Sequence, residues 1–163
     1  MKLILLQITI VSLLPVFLSC SGSDSSKTGT SLKKGEYAFI ISDSLGKTLA
    51  DGIMKFDKIT SDKSVSQFTH IVSGSYTVRR YVDDNDTNFI GISTLNGGAL
   101  TAQYNEKNLT IFINTNPMIA DANVFINATL NKADNSLSGV WNFSAFRNVR
   151  KNEGGIFAAS RIK

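Results

Sequence analysis

The sequence predicts an all-β domain, folded as a single up-and-down antiparallel β-barrel of eight or nine strands. From Gly35 onward, apolar and polar residues alternate with a period of two, as Tyr37, Phe39 and Ile41 do in the first candidate strand. The connections are short, and Asn96-Gly97-Gly98 has the composition of a hairpin turn. No segment longer than a turn or two carries the apolar stripe of an amphipathic helix.

Nine segments show the alternation of a strand: Glu36–Ser42, Thr48–Ile59, Gln67–Tyr81, Asn88–Leu95, Ala99–Asn105, Asn108–Asn114, Asn123–Asn131, Ser136–Phe146 and Gly155–Ile162. Short connections predict antiparallel pairing of neighbours, because a parallel crossover needs a dozen or more residues. Closure of the sheet on itself removes both edges, so a barrel is favoured and a two-sheet β-sandwich is the alternative.

The composition excludes several kinds of site. The chain has 163 residues, with one Cys, one His and a formal net charge of +4. A single Cys excludes an internal disulfide and a multi-cysteine zinc site, and a single His excludes a metal site built from several His. The net charge is too small and too scattered to indicate nucleic-acid binding. We therefore expect no cofactor, no metal and no nucleic-acid partner.

The first 19 residues have the features of a signal peptide. Lys2 precedes an apolar run that is too short for a membrane-spanning helix and has the length of a signal-peptide core. The run ends in Phe17-Leu18-Ser19-Cys20, which resembles the lipobox of bacterial lipoproteins. The resemblance implies removal of the leader and acylation of Cys20, where several acyl chains give stable anchoring. The alternative is an ordinary secretory signal.

The lipobox resemblance implies a chain of three parts. Residues 1–19 would be the signal peptide, residues 20–34 the lipidated Cys and a flexible Ser/Gly-rich tether, and residues 35–163 the β-barrel domain. Ser21, rather than Asp, follows the cysteine. By resemblance to lipoprotein sorting in enteric bacteria, this predicts a lipid-anchored protein of the bacterial cell envelope, held in the outer membrane.

The last third of the chain carries a second resemblance. Gly139-Val140-Trp141 is a G-x-W motif, and Gly155–Arg161 has the pattern of a closing strand. Together they resemble the ends of lipocalin-like (calycin-type) barrels and a group of small bacterial lipoproteins built on that plan. In lipocalins an Arg of the last strand packs over the indole. A hairpin centred near Lys151 would pair Trp141 with Arg161 as a cation–π contact that closes one barrel end.

A barrel of this kind suggests a module that binds a small apolar or amphipathic ligand in its interior. The candidate lining residues are mostly aromatic: Tyr37, Phe39, Phe56, Phe68, His70, Tyr76, Tyr104, Trp141, Phe143 and Arg161. The alternative is a structural or protein-interaction lipoprotein, inhibitor-like, whose filled barrel binds another envelope protein through its loops. An enzyme is not expected, because the lone His70 lacks a second His, a free Cys or paired carboxylates on its strand.

An acidic segment has part of a calcium-binding pattern. Asp84, Asp86 and Asn88 have the spacing that opens a calcium loop. Phe89 stands where that loop needs Gly, and Leu95 stands where it needs a bidentate Glu. A solvated turn is therefore favoured over a calcium site, and no metal is expected here.

A basic segment lies in the last hairpin. Arg147, Arg150 and Lys151 are offset by a single acidic residue, Glu153. Counted along nine alternating strands, this loop would lie at the same barrel end as the tether, opposite the acidic segment. There it would be placed to contact anionic lipid or lipopolysaccharide phosphate. A charged turn without a partner is the favoured alternative.

Two aromatic residues are placed on the polar sides of their strands. Phe112 and Phe125 both lie opposite the aliphatic stripe of the strand that carries them. Exposed, they would form an outer apolar patch and a partner site. The favoured alternative is that they lie under the long loop Thr115–Ala122.

Overall fold

The computed structural model describes residues 31–62, 64, 67–82, 88–119, 122–144 and 153–162. These residues form eight strands and one short helix: β1 (Gly35–Ser42), β2 (Thr48–Ser61), β3 (His70–Arg80), α1 (Ile90–Ser93), β4 (Gly98–Asn105), β5 (Thr110–Asn114), β6 (Asn123–Asn131), β7 (Ser136–Ser144) and β8 (Gly154–Arg161). Within these ranges, no helix is long and apolar enough to cross a membrane.

The eight strands form one closed barrel in sequence order. Each strand pairs antiparallel with the next, and β8 pairs antiparallel with β1, where Ile41 lies opposite Phe157. The prediction of an all-β up-and-down barrel is confirmed, and the sandwich alternative is excluded. Closure gives the first and last strands backbone partners on both sides, which removes the open edges of a flat sheet. The architecture is compatible with a lipocalin-like barrel.

The predicted strand Asn88–Leu95 is wrong, because its centre forms α1. Ser93 Oγ donates a hydrogen bond of 2.7 Å to the carbonyl oxygen of Ile90, three residues earlier, which only a helical turn brings within reach. Ile92 and Leu95 are fully buried. Their spacing of three residues places both side chains on one side of a turn, where they close the barrel end that α1 covers.

The number of strands decides which segments share a barrel end. β1 begins at Gly35, at the end that we call the tether end, whereas β7 ends at Ser144 and β8 begins at Gly154 at the opposite far end. The basic segment, residues 145–152, lies outside the described residues. The strand ends that flank it, Ser144 and Gly154, lie at the far end, whereas the count of nine strands predicts the tether end for them. The error follows from counting nine strands instead of eight.

The interior is packed with inward side chains from all eight strands. Ile111 lies opposite Ala128 and Ile113 lies opposite Ile126, in agreement with the predicted antiparallel pairing of neighbouring strands. Leu32, which precedes β1, is buried with the core at the tether end. Both ends of the barrel therefore receive apolar side chains from outside the strands.

Candidate functional site

Six of the predicted lining residues lie inside the barrel and are buried: Tyr37, Phe39, Phe56, Tyr76, Tyr104 and Trp141. The exposed fraction is 0% for Tyr37, Tyr104 and Trp141. The rings of Tyr37 and Phe56 are 5.0 Å apart between centroids, within contact distance. A side chain that borders a ligand cavity keeps accessible area toward it. These side chains are therefore packed against other protein atoms.

Glycines on the strands make room for the largest rings. A Cβ added to Gly52 would lie 2.8 Å from Cε1 of Phe39, and one added to Gly155 would lie 2.8 Å from Nε1 of Trp141. At the far end, a Cβ on Gly91 of α1 would lie 2.5 Å from Cβ of the partly buried Phe143. Pairing of small and large inward residues is typical of small barrels whose interior is filled by side chains.

Buried hydroxyls at the tether end have partners within the chain. Tyr37 Oη donates a hydrogen bond of 2.8 Å to the carbonyl oxygen of Lys33, and it also contacts Oδ1 of Asn135. Burial raises the pKa of Tyr37 to about 12, although the positive charge of Arg161 opposes the rise. Tyr104 Oη forms a hydrogen bond with Ser31 Oγ. These hydroxyls hold the residues before β1 across the barrel end.

The predicted pairing of Trp141 with Arg161 is wrong, because the two residues lie at opposite barrel ends. Trp141 lies opposite Gly155, and its Nε1 donates a hydrogen bond of 2.7 Å to the carbonyl oxygen of Ser42. Arg161 lies opposite Tyr37 at the tether end and is exposed, with Nη2 3.1 Å from the carbonyl oxygen of Lys34. Gly155 pairs directly with the Trp141 position, so β8 is offset from the predicted hairpin register.

His70 and Phe68 lie at the tether end, where β3 begins. The Nδ1 of the partly buried His70 is 2.9 Å from Oγ1 of Thr69, and its Nε2 is 3.9 Å from Oε2 of Glu106. Phe68 lines a depression of about 340 Å³ together with Phe112 on the outside of the barrel, rather than the interior. Glu106 also accepts a hydrogen bond of 2.7 Å from the Ser31 backbone N–H, so this group of side chains holds the residues before β1.

The outward side chains divide the barrel into two surfaces, which we call the charged wall and the uncharged wall. The charged wall is the outer face of β1–β3, and these strands carry the charged residues Glu36, Asp51, Lys55, Asp57, Lys58, Arg79 and Arg80. The uncharged wall is the outer face of β4–β8. These five strands contain a single charged residue, Arg161, which is the last residue of β8.

The charged wall has its own paired side chains. The guanidinium of Arg79 donates two hydrogen bonds, of 3.1 and 2.7 Å, to the two carboxylate oxygens of Asp51. Tyr81 Oη donates a third, of 2.7 Å, to the same carboxylate. The hydrogen bonds from Arg79 and Tyr81 lower the pKa of Asp51. These charges therefore pair with one another, and Asp51 and Arg79 also line a depression of about 510 Å³ on β1–β3.

Phe112 and Phe125 lie on the uncharged wall, half-buried and nearly parallel. Their ring centroids are 5.4 Å apart and their planes differ by 17°. Phe112 faces the outside between two depressions, of about 340 and 260 Å³, that it helps to line. Both rings lie on the outward faces of their strands. The favoured position under the loop Thr115–Ala122 stays a prediction, because residues 120 and 121 lie outside the described part of the chain.

Amide side chains flank both rings, an arrangement that sequence reasoning missed. In the strand register Phe112 lies between Gln103 and Asn127, and Phe125 lies between Asn114 and Asn142. Three of these amides, on Gln103, Asn127 and Asn142, are exposed. Each residue is visible in the sequence, but only the register between strands shows that they are neighbours.

Several predicted sites lie outside the described residues. They are the acylation site Cys20, most of the acidic segment that includes Asp84 and Asp86, and the basic segment. Within the described ranges, no group of three or more His, Cys, Asp or Glu side chains is arranged to hold a metal ion.

Comparison of the chain with protein-family models, with curated proteins and with solved structures gives no match. The fold and the surface geometry are therefore the basis for the functional proposal. They define the class as a closed eight-stranded up-and-down β-barrel with aromatic and amide side chains on one outer wall.

Proposed function

We propose that this chain is a bacterial envelope lipoprotein, anchored through Cys20, whose barrel is an interaction module that binds its partner on the outer wall. This corresponds to the filled-core alternative from the sequence, with the binding surface moved from the loops to the wall. It includes no catalytic step. The lipobox resemblance supports the anchor, and the residues before β1 would connect that anchor to the tether end. The far end and both walls would then be available to partners.

The observation that carries the proposal is the packing of the predicted ligand site. Tyr37, Tyr104 and Trp141 have no exposed area, and the polar atom of each forms a hydrogen bond within the chain. A ligand that entered this space would have to displace those rings and leave their partners unpaired, which costs about 1–3 kcal/mol for each buried polar group. The outer wall offers aromatic and amide groups without such a cost.

Native mass spectrometry of the full chain, purified in mild detergent from its own host, tests this proposal. We expect the mass of the protein with acyl chains at residue 20 and no additional small molecule. A stoichiometric apolar or amphipathic ligand, lost on denaturation, would contradict the filled interior and favour the ligand-binding prediction from the sequence. An unacylated Cys20 would contradict the anchor.

A further inference from the structure

We propose that the uncharged wall binds a neutral oligosaccharide along a strip formed by Gln103, Phe112, Asn114, Phe125, Asn127 and Asn142, which we call the amide–aromatic strip. This rests on the proposed function, since it names the class of partner that an outer wall would bind. Three features of the described residues carry it: the lack of charge, the geometry of the two rings, and the positions of the amides around them.

The first feature is the chemistry of the wall. A surface that binds anionic lipid, phosphate or nucleic acid carries Lys or Arg, because charge-assisted hydrogen bonds and ion release supply most of the affinity. The strands β4–β8 carry no charged side chain before Arg161, which lies at the tether-end rim. Their outward positions are instead rich in Asn, Gln, Ser and Thr. Such groups match the hydroxyls of a neutral sugar, which both donate and accept hydrogen bonds.

The second feature is the pair of rings. Phe112 and Phe125 are nearly parallel, with centroids 5.4 Å apart, and both are only partly buried. An aromatic face is electron-rich and attracts polarised C–H groups. A pyranose ring presents such C–H groups on its faces and hydroxyls around its edge. Because the rings stack on each other, each covers part of one face of its partner. The remaining faces and edges offer an apolar surface that suits a sugar and gives little to a fully hydrated ion.

The third feature is the position of the amides. Gln103 and Asn127 flank Phe112, whereas Asn114 and Asn142 flank Phe125, each on the directly adjacent strand. Cross-strand neighbours have Cβ atoms about 5 Å apart, so a sugar stacked on either ring would have hydroxyls within reach of an amide on each side. Within the described residues, the side chains of Gln103, Asn127 and Asn142 make no hydrogen bond, so their donors and acceptors are available.

The dimensions of the strip fit a short oligosaccharide. It crosses β4, β5, β6 and β7, which is about 14 Å at a strand spacing of about 4.8 Å. Two depressions border Phe112, one lined also by Phe68 and Asn127 and the other by Ile71 and Gln103. A linear chain of a few sugars could stack on the rings and place neighbouring units in these depressions.

The test measures binding of the full chain, in detergent, to malto-, cello-, xylo-, manno- and chito-oligosaccharides on an array, followed by titration calorimetry. Heparin and sialylated glycans are the charged comparators. We expect at least one neutral oligosaccharide to bind and the charged glycans to bind no better. Phe112→Ala should weaken that binding at least about tenfold, which corresponds to about 1.4 kcal/mol. Asn127→Ala should weaken it by a smaller factor.

The matched control is Ile40→Ala, which removes an outward apolar side chain, 48% exposed, from β1 on the charged wall. Its sugar binding should equal that of the unchanged chain. Asn127 is exposed and supports no core contact, so Asn127→Ala keeps the test valid if Phe112→Ala unfolds the barrel.

Four results would overturn the proposal: no neutral oligosaccharide binds, heparin binds in preference, the strip variants bind unchanged, or Ile40→Ala weakens binding equally. If no sugar binds but a protein cross-links through the position of Asn127, this inference fails and the proposed function stands. If neither a sugar nor a protein contacts the uncharged wall, both fail.

Discussion

The charged wall and the uncharged wall belong to one closed sheet, yet their outer surfaces differ in kind. Inward residues of both walls are apolar, tightly packed and interleaved with glycine. Outward residues of β2 include Asp51, Lys55 and Asp57, whereas those of β6 are Phe125, Asn127, Thr129 and Asn131. Folding requires apolar inward residues on every strand, but it does not constrain which residues point outward. Closure of the barrel does not require this difference between the walls, and we propose that it reflects what each wall binds.

The largest predicted loss of stability comes from substitution of inward glycines, and it should be equal in the two walls. A Cβ on Gly74 of β3 would lie 1.8 Å from the Lys55 carbonyl oxygen, and one on Gly139 of β7 would lie 2.0 Å from the Asn127 carbonyl oxygen. Gly74→Ala and Gly139→Ala should each lower the free energy of unfolding by about 3 kcal/mol, because backbone must move. Chemical denaturation measures it, with the exposed Ser138→Ala as a neutral control. A large effect at one glycine alone would show that the walls are not packed alike.

Trp141 joins the walls at the far end. Its Nε1 on β7 bonds the carbonyl oxygen of Ser42 on β1. Trp141→Phe should lower the free energy of unfolding by about 2 kcal/mol, from lost volume and a partly buried carbonyl left without its donor. Arg161→Ala should leave the intrinsic fluorescence of Trp141 unchanged, since the two residues lie at opposite ends. A shifted emission maximum in Arg161→Ala would instead support the cation–π pairing of Trp141 with Arg161.

Tyr37 joins the walls at the tether end and predicts an alkaline loss of stability. Its pKa is raised from 10.0 to about 12 in the folded protein, mainly by burial, so the folded state holds the proton more tightly than the unfolded state. The resulting stability is fully present below pH 10 and is lost as the pH rises from 10 to about 12. Denaturation at stepped pH should show this fall. Tyr37→Phe should make it smaller without removing it, because burial also raises the pKa of Tyr76 and of Tyr104. A free energy of unfolding that stays constant from pH 10 to about 12 would contradict the burial of the Tyr37 hydroxyl.

The smallest change in stability is expected from substitutions of outward residues that make the charge of the two walls more alike. Asn127→Lys places a charge on the uncharged wall, and Lys55→Gln removes one from the charged wall. Both side chains are exposed, so each variant should melt within a degree or two of the unchanged protein, as surface changes usually do. Differential scanning calorimetry measures this. A large loss of stability in either would mean that outward side chains hold the barrel closed, against the comparison drawn above.

The fold was readable from the sequence because inward positions carry a strict period of two. The predicted bounds of β6 coincide with the observed ones, and β1 differs by one residue. The failure at α1 has a physical cause, since Asn88–Leu95 alternates as a strand does and its helical turn is selected by the burial of Ile92 and Leu95. The local sequence pattern gives no information about that tertiary contact.

The site was less predictable than the fold. Six of the ring-bearing residues expected inside are buried there, whereas Phe68 lies on the outside of the barrel. The mutual burial of the inward rings depends on glycines of neighbouring strands, such as Gly155 beside Trp141. The amide–aromatic strip depends on register across four strands. A shift by one residue would separate Phe112 from Asn127 and move each to the other face. Such registers are hard to derive from sequence, as the incorrectly predicted register of β8 against β7 shows.

Site-specific photo-cross-linking in the native host tests the central claim, that the domain acts through its uncharged wall, most directly. A photoreactive residue replaces Asn127 on the uncharged wall in one strain and Lys55 on the charged wall in another; both positions are exposed and outward. We expect a discrete cross-linked product from position 127 and none from position 55. Equal products from both positions, or a product from position 55 alone, would contradict the claim.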